Sequence, residues 1–444
     1  MRASRGVWGL RLCLAGCLVW TCAACGDDSG EEGAGNNAAQ NNAAQNNGDN
    51  NTQNNGGALP EGCDALVMPS AQDQEAIQGA FIDLEEGQTL CLGAGTFTLQ
   101  QQLTLGQARV TLKGAGPEAT ILDFSAQDIG SNGVEITGDG VVVEDLQVQN
   151  TPGDGIRATE VAGITFRNVH VIWTEPGSTD NGAYGLYPVG STEVLIEGCV
   201  VQGARDAGIY VGQSQRIIVR DNEARGNVAG IEIENSLDAD VYNNHAHDNT
   251  GGLLVFNLPN LDLFGGRAKV HDNLIEGNNR DNFAEEGNIV SRVPRGTGMF
   301  ILACDDNEIH DNTIQNNESI GLALVSFNPL LTGSVPDDPE FDIYPQGNWI
   351  HDNTFINNGT DPDTLVRAIA PEPPAPDLAW DGCVDEAQDD ADGALANCIS
   401  GNTRGEDEEI FYLNFDLCEQ AGQNSTDLAP VTCEHEPLPV VELP

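Results

Sequence analysis

Residues 208–234 read GIYVGQSQRIIVRDNEARGNVAGIEIE, and this stretch decides the fold. It opens on a glycine followed by alternating apolar residues, and the same pattern returns at Gly230. Aligning every such pair along the chain gives GVEIT at 133, GIRAT at 155, GLYPV at 185, GIYVG at 208, GIEIE at 230, GLLVF at 252, GMFIL at 298 and GLALV at 321. The steps are 22, 30, 23, 22, 22, 46 and 23 residues, with an insertion near 173–182 and one double step. A second register runs through RDNEARGN, YNNHAHDN, HDNLIEGN, HDNTIQNN and HDNTFINN. It places asparagine at Asn222/Asn227, Asn244/Asn249, Asn273/Asn278, Asn312/Asn317 and Asn353/Asn358. A fixed period of this size is the mark of a solenoid.

The alternation has period two, which excludes an amphipathic helix. Short β-branched runs broken by Gly and Asn describe an all-β, right-handed parallel β-helix, with about three strands per coil and coils stacked roughly 4.8 Å apart. Equivalent residues then lie above one another, and stacked asparagines hydrogen-bond along the column where the chain turns. The spacing predicts roughly eleven coils between residues 91 and 360, a rod about 50 Å long. An open end would expose unpaired strand edges. PSAQDQEAIQGAFIDL at 69–84, with Ser70 and Asp73 placed as a capping box, reads as an N-terminal cap helix. The β-helix with its cap is assigned to 58–360. Pro-rich APEPPAP at 370–376 and four later cysteines mark 361–444 as a disulfide-containing C-terminal extension.

The chain carries 18 basic and 69 acidic residues, a net charge of −51, and its lysines are Lys113 and Lys269. Such a surface repels phosphate backbones and excludes nucleic acid as a partner, while cations and basic proteins are favoured. Arg2, Arg5 and Arg11 precede LCLAGCLVWTCAAC, an apolar run too short to span a bilayer. This segment resembles a bacterial lipoprotein signal. Cys17 and Cys25 both fit the lipidated position, and Cys25 leaves the longer apolar run and a polar start. The reading is a signal peptide at 1–25, a disordered Asn/Gln/Gly-rich tether at 26–57, and an extracytoplasmic lipoprotein held at the outer membrane or cell surface. Eight further cysteines suit an oxidising compartment. Closeness in sequence favours Cys63–Cys91, Cys383–Cys398 and Cys418–Cys433, with Cys199 and Cys304 as reduced core residues.

Alternation also assigns faces. The apolar second and fourth positions of each GIRAT-type strand point inward. The third then points outward, giving Glu135, Arg157, Tyr187, Tyr210 and Glu232, followed by Leu254, Phe300 and Ala323. Glu234 adds to the same face, and Tyr184 and Asp206 lie at the starts of their strands. Tyrosine faces with flanking carboxylates are the chemistry of a glycan-binding strip. Trp173, Glu175 and Asp180 in the insertion are placed to wall it.

YGLYPV at 184–189 looks like the alginate epimerase motif Tyr-Gly-apolar-Asp-Pro-His. Tyr187 and Val189 stand where that motif has its proton-transferring acid and histidine, so no catalytic residue carries over. More extensively, NGAYGLYPV, DAGIYVGQS, VAGIEIENS, NTGGLLVFNLP and VPRGTG resemble a family of bacterial exported parallel β-helix repeat proteins, many of them lipoproteins. That resemblance covers most of 65–435 and brings no established activity. It implies an exported partner, a secreted c-type cytochrome, because members commonly sit beside one.

His271, His310 and His351 form one outward column beside Asp272, Asp311 and Asp352, where a turn and a metal site are both readings. Hard oxygen ligands make calcium the favoured ion for the acidic column, and no cofactor motif is present. The expectation is a lipid-anchored protein presenting a solvent-facing strip to glycan or a partner protein without catalysis. The alternative is a polysaccharide lyase or C5-epimerase acting on a uronate-containing glycan, with Arg157 as base alongside Tyr187, Tyr210 and Glu232.

Overall fold

The computed structural model describes residues 59–327, 336–370, 372–385, 388, 390, 393–405, 408–418 and 424–444. The signal segment, Cys25 and the tether lie outside the described residues.

Two long sheets wind along one axis as a parallel β-helix. One has eleven strands, each hydrogen-bonded to the equivalent strand of the next coil: Gln101–Leu105, Ile129–Ile136, Ile156–Thr159, Tyr184–Val189, Ala207–Gly212, Ala229–Glu234, Gly251–Phe256, Thr297–Leu302, Ile320–Val325, Leu378–Trp380 and Tyr412–Asn414. The other collects the remaining strands, two per coil where the repeat is regular. Gln215–Arg220 and Glu223–Arg225, for example, stack on Leu237–Tyr242 and His245–His247.

Ile156, Leu186, Ile209, Ile231, Leu253, Met299 and Leu322 line the bore, with Ala158, Val211, Ile233, Val255, Ile301 and Leu324 beside them; all are buried. Each large aliphatic chain removed from water contributes about 1.5–3 kcal/mol. The glycine opening each strand is steric in origin. A β-carbon on Gly230 would lie 2.5 Å from the Gly252 carbonyl oxygen and 2.8 Å from Asn249 Nδ2.

The two asparagine registers are ladders. Each side-chain amide donates to the Oδ1 of the next asparagine at 2.9–3.2 Å, from Asn222 to Asn402 in one ladder and from Asn227 to Asn358 in the other. The residue before each ladder asparagine takes a left-handed conformation, as at Asp272 (φ 53°), Asp311 (φ 53°) and Asp352 (φ 52°). Asp and Asn tolerate that conformation, so HDN is a turn signature. A third ladder, Asn307–Asn348–Asn397, has no place in either sequence register.

One outward column of the larger sheet alternates in charge: Lys113, Glu144, Arg167, Glu197, Arg220, with ion pairs of 2.6, 3.3, 2.6 and 2.6 Å. It continues as stacked rings, Tyr242, His271, His310 and His351, at centroid spacings of 5.0, 4.9 and 5.0 Å. Opposite signs at successive levels favour the correct register, although exposed pairs add little stability.

The cap helix forms at Asp73–Asp83 and buries Ile77 and Phe81. Asp73 reaches back to the Ser70 backbone N–H (2.6 Å) and also accepts the Thr98 N–H (2.8 Å), tying helix to strand. Ser70 Oγ accepts from the Gln72 N–H at 3.1 Å, so the box closes one residue early.

Two expectations change. Between 91 and 360 the eleven-stranded sheet has nine strands, because the connections at 257–265 and 279–296 consume residues. The other two come from 361–444, the region read as an extension, which also adds Cys398–Ser400 and Thr403–Arg404 to the larger sheet. Cys63 pairs with Cys91 as expected, but the C-terminal bridges are Cys383–Cys418 and Cys398–Cys433. The strand Leu378–Trp380 stacks in register on Tyr412–Asn414. Residues just after each therefore meet across coils, and both bridges span 35 residues. Cys199 and Cys304 are free and buried.

Candidate functional site

The outward column of the eleven-stranded sheet is built as the alternation requires. Glu135 pairs with Arg157, Arg157 with Tyr187, and Tyr210 with Glu232 in register. Tyr184, Tyr187 and Tyr210 form a three-ring cluster with centroids 4.5, 4.6 and 4.8 Å apart. The Arg157 guanidinium carbon lies 4.9 Å from the Tyr187 ring centre, a cation–π arrangement. Gly212 makes room for Tyr210, since a β-carbon there would fall 2.4 Å from the ring. Tyr210 consequently lies along the sheet, and its hydroxyl donates to Glu234 Oε1 at 2.7 Å.

Outward from the bore does not mean exposed to water along the whole column. Glu135, Arg157, Tyr184 and Tyr187 keep partial access. Asp206, Tyr210, Glu232 and Glu234 are buried, correcting the expectation that the strip faces solvent throughout, and Leu254, Phe300 and Ala323 are buried with them. The physical reason is a second apolar cluster outside the bore. Leu258 and Phe264 from 257–265, and Phe283, Ile289, Val290 and Val293 from 279–296, pack with Tyr210, Leu254, Phe256 and Phe300. Sequence periodicity cannot register such covers, because they lie between the repeats. Trp173 does not wall the strip either. It is buried, and its indole N–H donates to the Thr151 carbonyl at 2.8 Å.

The accessible half has partners that sequence reasoning did not single out. Asp154 sits 3.8 Å from the Arg157 guanidinium. Burial pushes its carboxyl up to about 6, against the pull of Arg157 and of the Tyr184 N–H. Asn132 Nδ2 donates to Glu135 Oε2 (2.7 Å), and Thr159 Oγ1 donates to Glu135 Oε1 (2.9 Å). The available signal was an acid just before the strand in two coils, Asp154 and Asp206. In the covered half, Asn288 Nδ2 donates to Asp206 Oδ2 at 3.1 Å, and Arg205 pairs with Glu285.

Burial pushes the Tyr187 phenol up to about 12, and the Tyr184 and Tyr210 phenols upward as well. None of the three is a ready general base near neutral pH. The open half therefore offers an aromatic face, one guanidinium and the Glu135 carboxylate able to accept hydroxyl protons, with Asp154 buried beside the guanidinium.

The histidine column is a structural stack. Each Nδ1 meets the neighbouring aspartate, Asp272, Asp311 or Asp352, at 2.7–2.8 Å. The rings are parallel within 3–12°, so their in-plane nitrogen lone pairs run side by side and do not converge on one ion. Among the described residues no three His, Cys, Asp or Glu side chains form a donor set for a metal ion.

No curated protein matches the chain. Among solved structures it is similar to the A-modules of two Azotobacter vinelandii mannuronan C-5 epimerases. AlgE6 is 17% identical at a TM-score of 0.50, over 74% of this chain and 89% of that one. AlgE4 is 18% identical at 0.49, over 78% and 93%. A Streptomyces thermodiastaticus GH87 α-1,3-glucanase catalytic unit is 16% identical at 0.43, over 67% and 59%. At such identities the likeness is one of fold. The family model described as the right-handed β-helix region matches residues 110–263 and 179–369, more than half of the sequence, and the chain belongs to that family.

Proposed function

We propose that this β-helix binds glycan through the open half of its outward column, with Glu135, Arg157, Tyr184 and Tyr187 as the contact residues and the buried Asp154 backing Arg157. The observation that carries the reading is the tyrosine cluster with Arg157 stacked on Tyr187, its accessible edge bordered by carboxylates. Such a surface stacks on the apolar face of a pyranose, accepts hydroxyl protons at Glu135, and meets a uronate carboxylate with Arg157. The AlgE6 A-module supports only the fold side of this reading, as a glycan-acting protein built on the same scaffold. Three disulfides support an exported location, and lipidation at Cys25 would hold the rod at a membrane surface.

Binding is favoured over lyase or epimerase turnover because the phenols stay protonated near neutral pH. One observation keeps the enzymatic reading testable: Asp154, held up to about 6 beside Arg157, is able to carry a proton near neutrality. A glycan array with neutral and uronate oligosaccharides, run with and without calcium, tests both. Binding that falls in Tyr187→Ala without ultraviolet-absorbing unsaturated product supports the binding protein. Such product, lost in Arg157→Ala, would replace it with a lyase. No binding to any oligosaccharide would refute both.

A further inference from the structure

The segment 279–296 joins the strands Leu274–Glu276 and Thr297–Leu302 as a long loop whose ends meet, the Gly296 N–H donating to the Asn278 carbonyl at 2.8 Å. Asn282 Nδ2 donates to the carbonyls of Val290 (2.8 Å) and Val293 (3.0 Å), and Ile289–Arg292 make a 3-10 turn. Val290 and Val293 are its buried anchors. Val293 settles over Gly251, where a β-carbon would come within 3.0 Å of Cγ1. Polar attachment to the coils beneath runs through Asn288 to Asp206 and Glu285 to Arg205, and near the loop's ends through Asn279 Nδ2 to the Asn316 carbonyl (2.9 Å), Arg280 Nε to the Asp248 carbonyl (3.1 Å) and Arg295 to Glu318 and Asp361. Gly277 (φ 59°) takes the left-handed place before the ladder residue Asn278, and Gly296 (φ 81°) is tied to the Asn278 carbonyl, so both ends are pinned and opening is confined to the span between them.

What the covered region contains is unusual for an interior. Glu232 is 1% exposed, and its Oε2 has no hydrogen-bond partner. Its carboxyl contacts that of Glu234, which receives the Tyr210 hydroxyl. Asp206 stands near both and accepts from Asn288 Nδ2 at 3.1 Å. Carboxylates in contact and cut off from water cannot all ionise, so protons must be held among them. This is a costly way to fill a core, since apolar residues of similar size would pack there without penalty. Tyrosine rings and carboxylates are also the residue types that line the open half, which begins on the adjoining coil.

We propose that the loop 279–296 is a cover over a second half of the glycan groove, and that loss of protons from Asp206, Glu232 and Glu234 releases it, exposing Tyr210 and both glutamates as additional sugar subsites. The ligand class rests on the reading of the open half; the gating does not.

Other charged and titratable groups bear on this cluster. Asp154, Arg157, Tyr184, Tyr187 and Tyr210 come from the neighbouring strands, and Arg205 precedes Asp206. The cover contributes Arg280, Asp281, Glu285, Glu286, Arg292 and Arg295, the last paired with Glu318 and Asp361, and the 257–265 connection contributes Asp262. Arg205 and the Asn288 side-chain amide favour ionised Asp206, while the cover's own acids add to the repulsion once the cluster ionises. Burial, followed by repulsion from Glu234, raises Asp206 to about 7; burial also raises Glu232 and Glu234. In an open form the same groups are hydrated and ionise above about 4–4.5. The closed form therefore binds more protons, is fully favoured below that range, and loses ground as pH rises from there through about 7.

Hydrogen exchange read by mass spectrometry on the full chain without ligand, with exchange times scaled for the intrinsic pH dependence, tests the gate. Protection of 282–293 is expected to fall about tenfold or more between pH 5 and pH 8, while the strand Thr297–Leu302 is unchanged. In the isosteric Asp206→Asn/Glu232→Gln/Glu234→Gln variant the loop should remain protected at both pH values. Equal protection of the wild-type loop at pH 5 and pH 8 would overturn the proposal. So would a pH response that survives Glu232→Gln/Glu234→Gln/Asp206→Asn, or closure at pH 8 that depends only on added calcium. Because exchange is read without glycan, a refuted gate leaves the open-half reading intact, and a blank array leaves the gate intact.

Discussion

Asn273 is the clearest place to test what holds the coils in register. Its side-chain amide donates to the Asn312 Oδ1 and the Val241 carbonyl, both at 2.9 Å. Its Oδ1 accepts from the Asn244 backbone N–H and from Asn244 Nδ2, again both at 2.9 Å. Asn273→Ala removes all four. The losses are unequal in kind: Asn312 Oδ1 keeps the Asn273 backbone N–H (3.0 Å), and Asn244 Nδ2 keeps the Val219 carbonyl (2.9 Å). The Asn244 N–H is left without a partner in a site closed to water. Three ordinary hydrogen bonds at about 1 kcal/mol each and one orphaned donor at about 1–3 kcal/mol give a loss of about 4–6 kcal/mol. Asn357 supplies the contrast within the same repeat. It is exposed, sits at φ 53°, and its side chain makes one surface contact with Asn316. Asn357→Gly should stay within about 0.5 kcal/mol of wild type, since glycine relieves the left-handed conformation. A stacked rod need not unfold in one step, so the assay is native-state hydrogen exchange of Leu237–Tyr242 and Leu274–Glu276, with denaturation midpoints alongside. If Asn273→Ala matches Asn357→Gly in both, the ladder is not what fixes the coils.

Other consequences are quicker to check. Tyr187→Ala should weaken binding of any array-positive oligosaccharide by at least about tenfold, a loss of about 1.4 kcal/mol, and Tyr242→Ala on the other sheet should leave it unchanged. Non-reducing peptide mapping should recover Cys383 with Cys418 and Cys398 with Cys433, and finding Cys383 with Cys398 would contradict the stacking of the last two coils. Cys199 and Cys304, their thiols pushed up to about 12 by burial, should resist alkylation near neutral pH until the chain unfolds. The His271 imidazole is raised although burial alone would lower it, because Asp240 (2.9 Å) and Asp272 (2.7 Å) favour its cation. That stabilisation is full below the ordinary histidine value and disappears as pH rises through the raised one; an NMR titration should show Asp240→Asn lowering it.

What the sequence disclosed, and what it withheld, follows from how a coiled rod uses its residues. Bore and ladder positions repeat because each coil poses the same packing problem, so Ile209 and Ile231, or Asn244 and Asn273, read as equivalents before any coordinates are seen. The vertical alignment of Arg157, Tyr187, Tyr210 and Glu232 was legible for the same reason. Disulfide pairing was not. In a helix of coils, nearness in space belongs to residues about one coil apart, so Cys383 meets Cys418 more easily than Cys398, and pairing by shortest separation works against the architecture. The third asparagine ladder was hidden in a similar way, since Asn307, Asn348 and Asn397 are separated by 41 and 49 residues once insertions intervene.

The insertions themselves carry the part of the function that periodicity cannot see. A bare β-helix presents one face of nearly uniform access, and on such a face the five coils from Glu135 to Glu232 would form one continuous strip. The connections at 257–265 and 279–296 break that uniformity by laying Leu258, Phe264, Val290 and Val293 over Leu254, Phe256 and Phe300. Outward apolar residues on those coils match the cover above them, whereas Tyr210, Glu232 and Glu234 lie at its margin with the chemistry of the open half. A cover that served only to shield an apolar face would have no use for carboxylates beneath its edge. The residues at this boundary are therefore suited to two environments, dry and protonated or wet and ionised. The transition between those environments follows from the acids and not from the apolar packing. Replacing Val290 with alanine should accordingly make the loop easier to open at every pH without moving the midpoint set by the acids. If Val290→Ala instead abolishes the pH response, the carboxylates are bystanders and apolar packing alone governs the cover.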